Sequence, residues 1–393
     1  MSTSHVMNTY ARLPVAFTHG RGVLLWDEAG REYLDGLAGI AVSGLGHAHP
    51  KLVKAISEQA GRLIHTSNIY QVPEQEKLAD KICALSGMDE VFFCNSGAEA
   101  NEAAIKLAIL YGYKKTGQPG TKIVVMDRAW HGRTIGTLAA TGSEKARKGF
   151  EPLPDHSFVR VPYNDLAAIE AAASQHPEIQ AVLLEVLQGE GGINIASNEY
   201  LQQLRAFCTA RGWLLMIDEV QSGIGRTGTW FGYQHAGIQP DVMTLAKGLG
   251  SGVPIGACVA TGPAAGVMQP GNHGTTFGGG PLVSTAALAT LNIMEEEGLL
   301  ANAAKMGGYL RAGLENQLLG LPGVVEVRGR GLMIGIELTK PCGELVKQAL
   351  EIGLLINVTR ENVVRLLPPL ILSTTEADLL LTRLVPLIKA FVA

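Results

Sequence analysis

Apolar residues follow two rhythms along this chain. Short unbroken runs occur at Val91 (VFFC), Lys122 (KIVVM), Ala181 (AVLLEV), Trp213 (WLLMID), Asp241 (DVMTLA) and Ala257 (ACVAT). Runs of this length without polar alternation predict strands covered on both faces. Between them, helical spacing predicts helices over 98–115 and 198–211, and Pro50 and Pro73 stand where a first helical turn tolerates proline. Strands alternating with helices predict an α/β fold with a mostly parallel central sheet and ligands at its carboxyl edge.

The two ends read differently. Residues 23–35 (VLLWDEAGREYLD) predict a hairpin turning at Glu28 to Gly30. Beyond about Met294 the pattern predicts a long helix, strands near 324–338 and 354–366, and a last helix opened by a Ser373/Glu376 capping box. At 393 residues the chain exceeds one core of roughly 150 residues. The expected organisation is a large domain over 50–294, a smaller α+β domain over 295–393, and a segment 1–49 packing with the smaller one. No internal repeat is present.

Composition sharpens this picture. Hydrophobic residues make up 47% and charged residues 17% of the chain, so there is much interior to fill. The 32 Lys and Arg against 36 Asp and Glu give a net charge of -4, and no basic stripe follows a phosphate backbone, so nucleic acid is not an expected partner. Cys83, Cys94, Cys208, Cys258 and Cys342 are scattered and never in CxxC spacing, which points to a reducing cytoplasm rather than to disulfides or a zinc knuckle. The first residues lack the layout of a signal or transit peptide, so the mature chain is expected to begin near Met1. From Gly248 to Met294 there is no Asp, Glu, Lys or Arg, while 11 Gly and 4 Pro exclude a continuous membrane helix. A desolvated loop at a site or subunit interface is expected there.

Chemistry gathers at the strand ends. WLLMID runs into Asp218 and Glu219, both candidate cofactor contacts, and DVMTLA runs into Lys247 before a charge-free glycine loop. A lone Asp there would more often cap the next segment, and a lone Lys would be a surface charge. Together they match the needs of pyridoxal phosphate: a desolvated lysine to join the aldehyde, and an acid to keep the ring nitrogen protonated. Ser96-Gly97-Ala98 sits between a strand and a helix, where free N–H groups receive a phosphate, although Ser96 with Glu99 is equally good as an ordinary cap. RAWHGRT supplies Trp130 and His131 as ring-stacking faces and Arg133 as a carboxylate fork.

Two motifs point elsewhere. GIGRTG, at Gly223, Gly225 and Gly228, satisfies a dinucleotide fingerprint, but four residues separate it from the strand and no helix opens after it. His47-Ala48-His49 has metal-binding spacing without acidic or cysteine partners, so no metal is expected and a loop before the Pro50 helix is.

Taken in order, SGAEANEAAIKLA, WHGRT, QGEGG, IDEVQSGIGRTG, TLAKGLGSGVPIGA and GTTFGGGPL resemble the class III (subgroup II) pyridoxal-phosphate aminotransferases of fold type I. LDGLAGIAVSGLGHAHPKLV and HTSNIYQVPEQEKLA are most like the acetylornithine branch of that class. The resemblance implies that Lys247 bonds the cofactor and Asp218 faces its ring nitrogen. It also implies that Val220 and Gln221 touch the ring, that Gly97 and Ala98 hold the phosphate, and that Thr276 reaches the phosphate of a second subunit, making a homodimer. Trp130 stands where most relatives have Phe, Val186 where Pro is frequent, and Gly280 where Asn is usual.

For substrates, the resemblance implies Thr275 and Arg133 on the acylated-amine side and Arg365 on the α-carboxylate of glutamate. Glu190 would pair with Arg365 and swing away, a gate between the two substrates. The implied reaction moves the δ-amino group of N2-acetylornithine to 2-oxoglutarate, in arginine biosynthesis. Ornithine, succinylornithine, succinyldiaminopimelate and 4-aminobutyrate remain alternative donors, because an acyl or methylene difference is worth only ~1–3 kcal/mol. A nicotinamide dehydrogenase and a non-catalytic scaffold are the readings from other classes.

Overall fold

The computed structural model describes residues 5–393, and the expected start at Met1 lies outside them. The central sheet has seven strands: β1 (Glu90–Cys94), β2 (Lys122–Met126), β3 (Phe158–Val161), β4 (Ile179–Leu184), β5 (Leu214–Asp218), β6 (Val242–Leu245) and β7 (Gly256–Ala260), in spatial order β1-β7-β6-β5-β4-β2-β3. All run parallel except β7, which is antiparallel to both β6 and β1. Every residue of β4 and β5 is buried, as unbroken apolar runs predict for strands covered on both faces. The predicted helices form over Gly97–Thr116 and Asn198–Arg211, each ended by a left-handed glycine, Gly117 and Gly212.

A second, antiparallel sheet comprises β8 (Val324–Arg330), β9 (Met333–Leu338), β10 (Asn357–Thr359) and β11 (Val363–Leu366), in order β8-β9-β11-β10. The predicted hairpin joins Leu24–Asp27 to Glu32–Asp35, and Glu32–Asp35 then pairs in parallel with Leu354–Leu355. The N-terminal strands thus share a sheet with a segment more than three hundred residues away. The strand region expected near 354–366 divides into three short strands on two sheets. Arg360 and Glu361, at φ 53° and 67°, make the left-handed turn that folds β11 back on β10.

The charge-free stretch also differs from expectation. It is not one buried loop, because it contains β7 and most of the helix Pro281–Glu296. Its irregular part divides too: Gly278 to Gly280 are buried, whereas Pro270, Gly271, Asn272, Thr276 and Phe277 are exposed. Low charge in this stretch reflects sheet and helix packing as much as any loop.

Candidate active site

Because β1, β2, β4, β5 and β6 run parallel, their carboxyl ends meet along one edge, over a cavity of about 510 Å³. Ser96, Gly97 and Ala98 line it from the end of β1, Trp130, His131 and Arg133 from β2, Asp218, Val220 and Gln221 from β5, and Lys247 from β6.

Lys247 is half-buried at φ 42°, a left-handed backbone that a non-glycine residue adopts only under surrounding constraint. Burial lowers the pKa of its amine, while the nearby charges of Glu190 and Asp218 oppose that shift. The result is an amine closer to its free base than a surface lysine.

Asp218 is held by three partners. Its Oδ2 accepts from Asn101 Nδ2 at 2.7 Å and faces His131 Nδ1 at 2.8 Å, and its Oδ1 accepts from the Val220 N–H at 3.0 Å. Asn101 is fixed in turn by the Thr244 hydroxyl at 2.7 Å, from the residue opposite Asp218 on β6. The bland capping role and the site role coexist in one carboxylate. Asn101 was not foreseen, although SGAEANEAA places it one helical turn beyond Gly97, on the buried face of the same helix.

At that helix start, Ser96 Oγ accepts from the Glu99 N–H at 3.2 Å, and Glu99 reaches back to the Asn95 N–H at 2.5 Å. Glu99 thereby bonds the residue before the cap, leaving the first-turn N–H groups of Gly97 and Ala98 without an intrahelical acceptor at the cavity wall. A Cβ on Gly97 would lie 2.7 Å from Val220 Cγ1, so only glycine lets the two segments close up.

Trp130 and Arg133 stack on one another, guanidinium carbon 4.8 Å from the ring centroid. Glu185, also not foreseen, stands just past the end of β4, as Asp218 ends β5. Its carboxylate accepts from the Trp130 N–H at 2.9 Å and the Gly189 N–H at 3.3 Å. Burial first, and then the charge of Asp218, hold its pKa well above the carboxylate range.

Glu219 departs from expectation. Adjacent residues leave a strand on opposite sides, so with Asp218 turned to the cavity Glu219 points into the following loop. There it accepts from the Ser222 hydroxyl at 2.6 Å and the Tyr233 N–H at 2.9 Å, and burial pushes its pKa up to about 7. Thr275 and Thr276 do not line this chain's cavity either. Thr275 Oγ1 accepts from Asn95 Nδ2 at 3.2 Å, and Thr276 is exposed.

Glu190 and Arg365 come together as expected. Arg365 Nη1 donates to Glu190 Oε1 at 2.6 Å and to Gln221 Oε1 at 3.1 Å, and Nε donates to Asn357 Oδ1 at 3.0 Å. Arg365 is fully buried, yet its Nη2 has no hydrogen-bond partner among the described residues. A buried charged donor left open in this way is complementary to an incoming carboxylate.

The motifs that pointed elsewhere are explained by geometry. After GIGRTG the chain forms only a 3-10 turn over Gly232–Ala236, not a dinucleotide helix. His47 and His49 face different acids, Asp35 at 2.8 Å and Glu297 at 3.3 Å.

A lysine and an aspartate fixed by hydrogen bonds on neighbouring strand ends, beside an open helix start, suit one cofactor. The family Aminotransferase class-III matches residues 6–388. The chain belongs to the class III aminotransferases. Acetylornithine aminotransferase 1 of Bordetella bronchiseptica is 66% identical over 391 residues, spanning 100% of this chain and 99% of that one. Among solved structures, acetylornithine aminotransferase from Elizabethkingia anophelis superposes with a TM-score of 0.87 at 34% identity, covering 98% of this chain and 97% of that one. An ornithine aminotransferase from Toxoplasma gondii, whose structure reveals partial occupancy of PLP at its active site, gives a TM-score of 0.93 at 33% identity and covers 98% and 92%. As a class III aminotransferase the chain is a pyridoxal-phosphate enzyme of fold type I, and the dehydrogenase and scaffold readings fall away.

Proposed function

We propose that this aminotransferase moves the δ-amino group of N2-acetylornithine to 2-oxoglutarate, giving N-acetylglutamate 5-semialdehyde and glutamate. The observation that carries the reading is the Glu190–Arg365 pair, 2.6 Å long and joined through Gln221 to the cavity that holds Lys247. One substrate presents a terminal amine, and the other reacts next to its α-carboxylate. Arg365 must be covered for the first and open for the second. The 66% identity with an acetylornithine aminotransferase over the full chain supports this donor over other ω-amines.

Bound pyridoxal phosphate supplies an electrophilic aldehyde carbon and a ring that draws electrons from the amine-bearing carbon. The N–H groups of Gly97 and Ala98 would hold the phosphate, with Ser96 beside them. Trp130 and Val220 would flank the ring, Gln221 would meet its hydroxyl, and His131 would act through Asp218. Asn101 and the Val220 N–H hold the Asp218 carboxylate at the cavity wall, where it would face the ring nitrogen. Lys247 Nζ, desolvated into a ready base, takes the proton from the substrate's amine-bearing carbon and returns it on the other side of the transfer. Arg133, and Thr275 from the facing subunit, address the acylated end.

The proposal extends to assembly and place. A homodimer is supported by the exposed, apolar Leu63, Ile64, Ile69, Tyr70 and Phe277, and by Thr276 lying on the surface rather than in its own chain's cavity. A cytoplasmic setting is supported by five unpaired cysteines. The working division is 1–49 with 295–393 as the part that brings Arg365, and 50–294 as the part that brings Lys247. The test is the absorbance of the cofactor-loaded protein on adding N-acetylornithine and then 2-oxoglutarate. Bleaching by the first and recovery with the second is expected. Faster bleaching by ornithine, succinylornithine or 4-aminobutyrate would replace the proposed donor.

A further inference from the structure

The loop that leaves Asp218 ends in the GIGRTG motif, to which the reaction as described gives no task. Its arginine is set apart by its surroundings. Arg226 is 2% exposed, and among the described residues it makes no ion pair. Burial pushes its guanidinium pKa down to about 9, against the smaller opposing charge of Asp35. A cation so placed is retained only where its hydrogen bonds are good.

Those bonds join two separate parts of the second sheet. Arg226 Nη1 donates to the carbonyl of Leu332 at 3.1 Å, in the turn between β8 and β9, and to the carbonyl of Pro368 at 2.5 Å, just past Arg365. The backbone joins in, with Leu332 N–H donating to Arg226 O at 3.0 Å. A Cβ at Gly331, whose φ is +55°, would lie 2.5 to 2.7 Å from the backbone of Arg226 and Thr227, so the two turns are in direct contact. Meanwhile Gln221, earlier in the same loop, accepts from Arg365 Nη1 at 3.1 Å. One loop therefore grips β11 twice, at the Arg365 side chain and at the backbone beyond it.

We propose that Arg226 is a positioning residue for Arg365, fixing the end of β11 so that the guanidinium meets the α-carboxylate of the keto acid. The inference rests on the reading of Arg365 as the α-carboxylate site. The side-chain hydrogen bonds of Arg226 run to the turns beside Arg365 and, among the described residues, none runs to Arg133, so its removal should act on one half-reaction. A merely structural arginine would weaken both.

The test uses the cofactor-loaded enzyme and Arg226→Gln, which removes the charge and keeps a donor, with Arg226→Lys as the conservative variant. The half-reactions are followed separately by absorbance, and binding of the unreactive dicarboxylate glutarate by calorimetry. Expected for Arg226→Gln is a roughly tenfold rise in 2-oxoglutarate KM and a similar loss of glutarate affinity, the scale of one charge-assisted hydrogen bond, with the amine-donor half-reaction within about twofold of wild type. Arg226→Lys should recover part of the loss. If Arg226→Gln folds poorly, Gly331→Ala separates the same turns from the other side and should show the same selectivity. Equal losses in both half-reactions, or unchanged glutarate affinity, overturn the inference while Arg365→Lys still weakens 2-oxoglutarate. Should Arg365→Lys leave 2-oxoglutarate unaffected, the reading of Arg365 fails first and the inference with it.

Discussion

Replacing Glu190 by Gln uncovers the keto-acid site without changing its shape. In the wild-type chain an incoming carboxylate must displace Glu190 from Arg365, where the two meet at 2.6 Å with Arg365 fully buried and the Glu190 side chain 31% exposed. A hydrogen bond between charged groups is worth about 1.5–3 kcal/mol, and partial solvent access places this one at the low end. Gln keeps a neutral acceptor but loses the charge, so about 1.5 kcal/mol less opposes the substrate, and KM for 2-oxoglutarate should fall roughly tenfold. The amine-donor half-reaction should slow by a similar factor, because the open guanidinium now captures the donor's own carboxylate unproductively. Arg365 also loses its counter-charge, which should lower Tm by on the order of 3 °C.

The pH dependence carries a sign. Burial raises the Glu190 pKa, but the charge and hydrogen bond of Arg365 outweigh it and leave the net value below the ordinary carboxylate range. The pair is therefore intact above the unfolded carboxylate pKa and is lost as pH falls through the depressed folded value. Wild type should approach Glu190→Gln behaviour only at acid pH below the usual carboxylate range. Single-half-reaction kinetics by stopped-flow absorbance measure both arms. A 2-oxoglutarate KM that is unchanged or higher in Glu190→Gln would refute the gate.

Other outcomes follow from particular contacts. Lys247→Ala should fold and bind cofactor reversibly but show no lysine-linked absorbance band and no turnover; a persistent band would reassign the lysine. Gly97→Ala should weaken cofactor affinity, because its Cβ meets Val220 at 2.7 Å and drives the helix start off the cavity; equilibrium dialysis with pyridoxal phosphate measures it. Glu219 is raised from 4.5 to about 7, so the folded chain holds a proton that the unfolded one has released between those values, and stability should fall by about 3 kcal/mol as pH rises through that window. Denaturation of Glu219→Gln across the same range should be flatter than wild type. For the proposed dimer, mixing Lys247→Ala with Thr276→Val chains should restore one intact site per mixed pair, and no recovery of activity would place Thr276 outside the partner's site.

Much of this site was legible because it obeys one rule: parallel strands end on one edge. Asp218 and Lys247 were readable as a pair from two apolar runs that each stop at a charge. Glu185 obeys the same rule and was passed over, since LLEV continues apolar and hides the strand end. Asn101 lay hidden for another reason. Its role depends on which face of the Gly97–Thr116 helix meets β6, and an alanine-rich helix has apolar residues on every side. Glu219 bonds Ser222 and Tyr233 rather than lining the cavity, because strand alternation, which sequence proximity conceals, turns it away from its neighbour Asp218. The exposed part of the 248–294 stretch shows that missing charge does not distinguish surface covered by its own chain from surface open in the single chain.

The reversed strand β7 has a consequence for the order in which the site comes into being. β1, which leads into the Ser96–Ala98 turn, lies at the sheet edge and bonds only to β7, with Cys94 opposite Gly256. A nascent chain emerging from the ribosome therefore cannot seat that turn until some 160 further residues have followed it, and Arg365 arrives later still. Contacts so distant in sequence close late in folding. Capture of pyridoxal phosphate should therefore mark near-complete folding, and truncated or stalled chains should remain colourless in its presence.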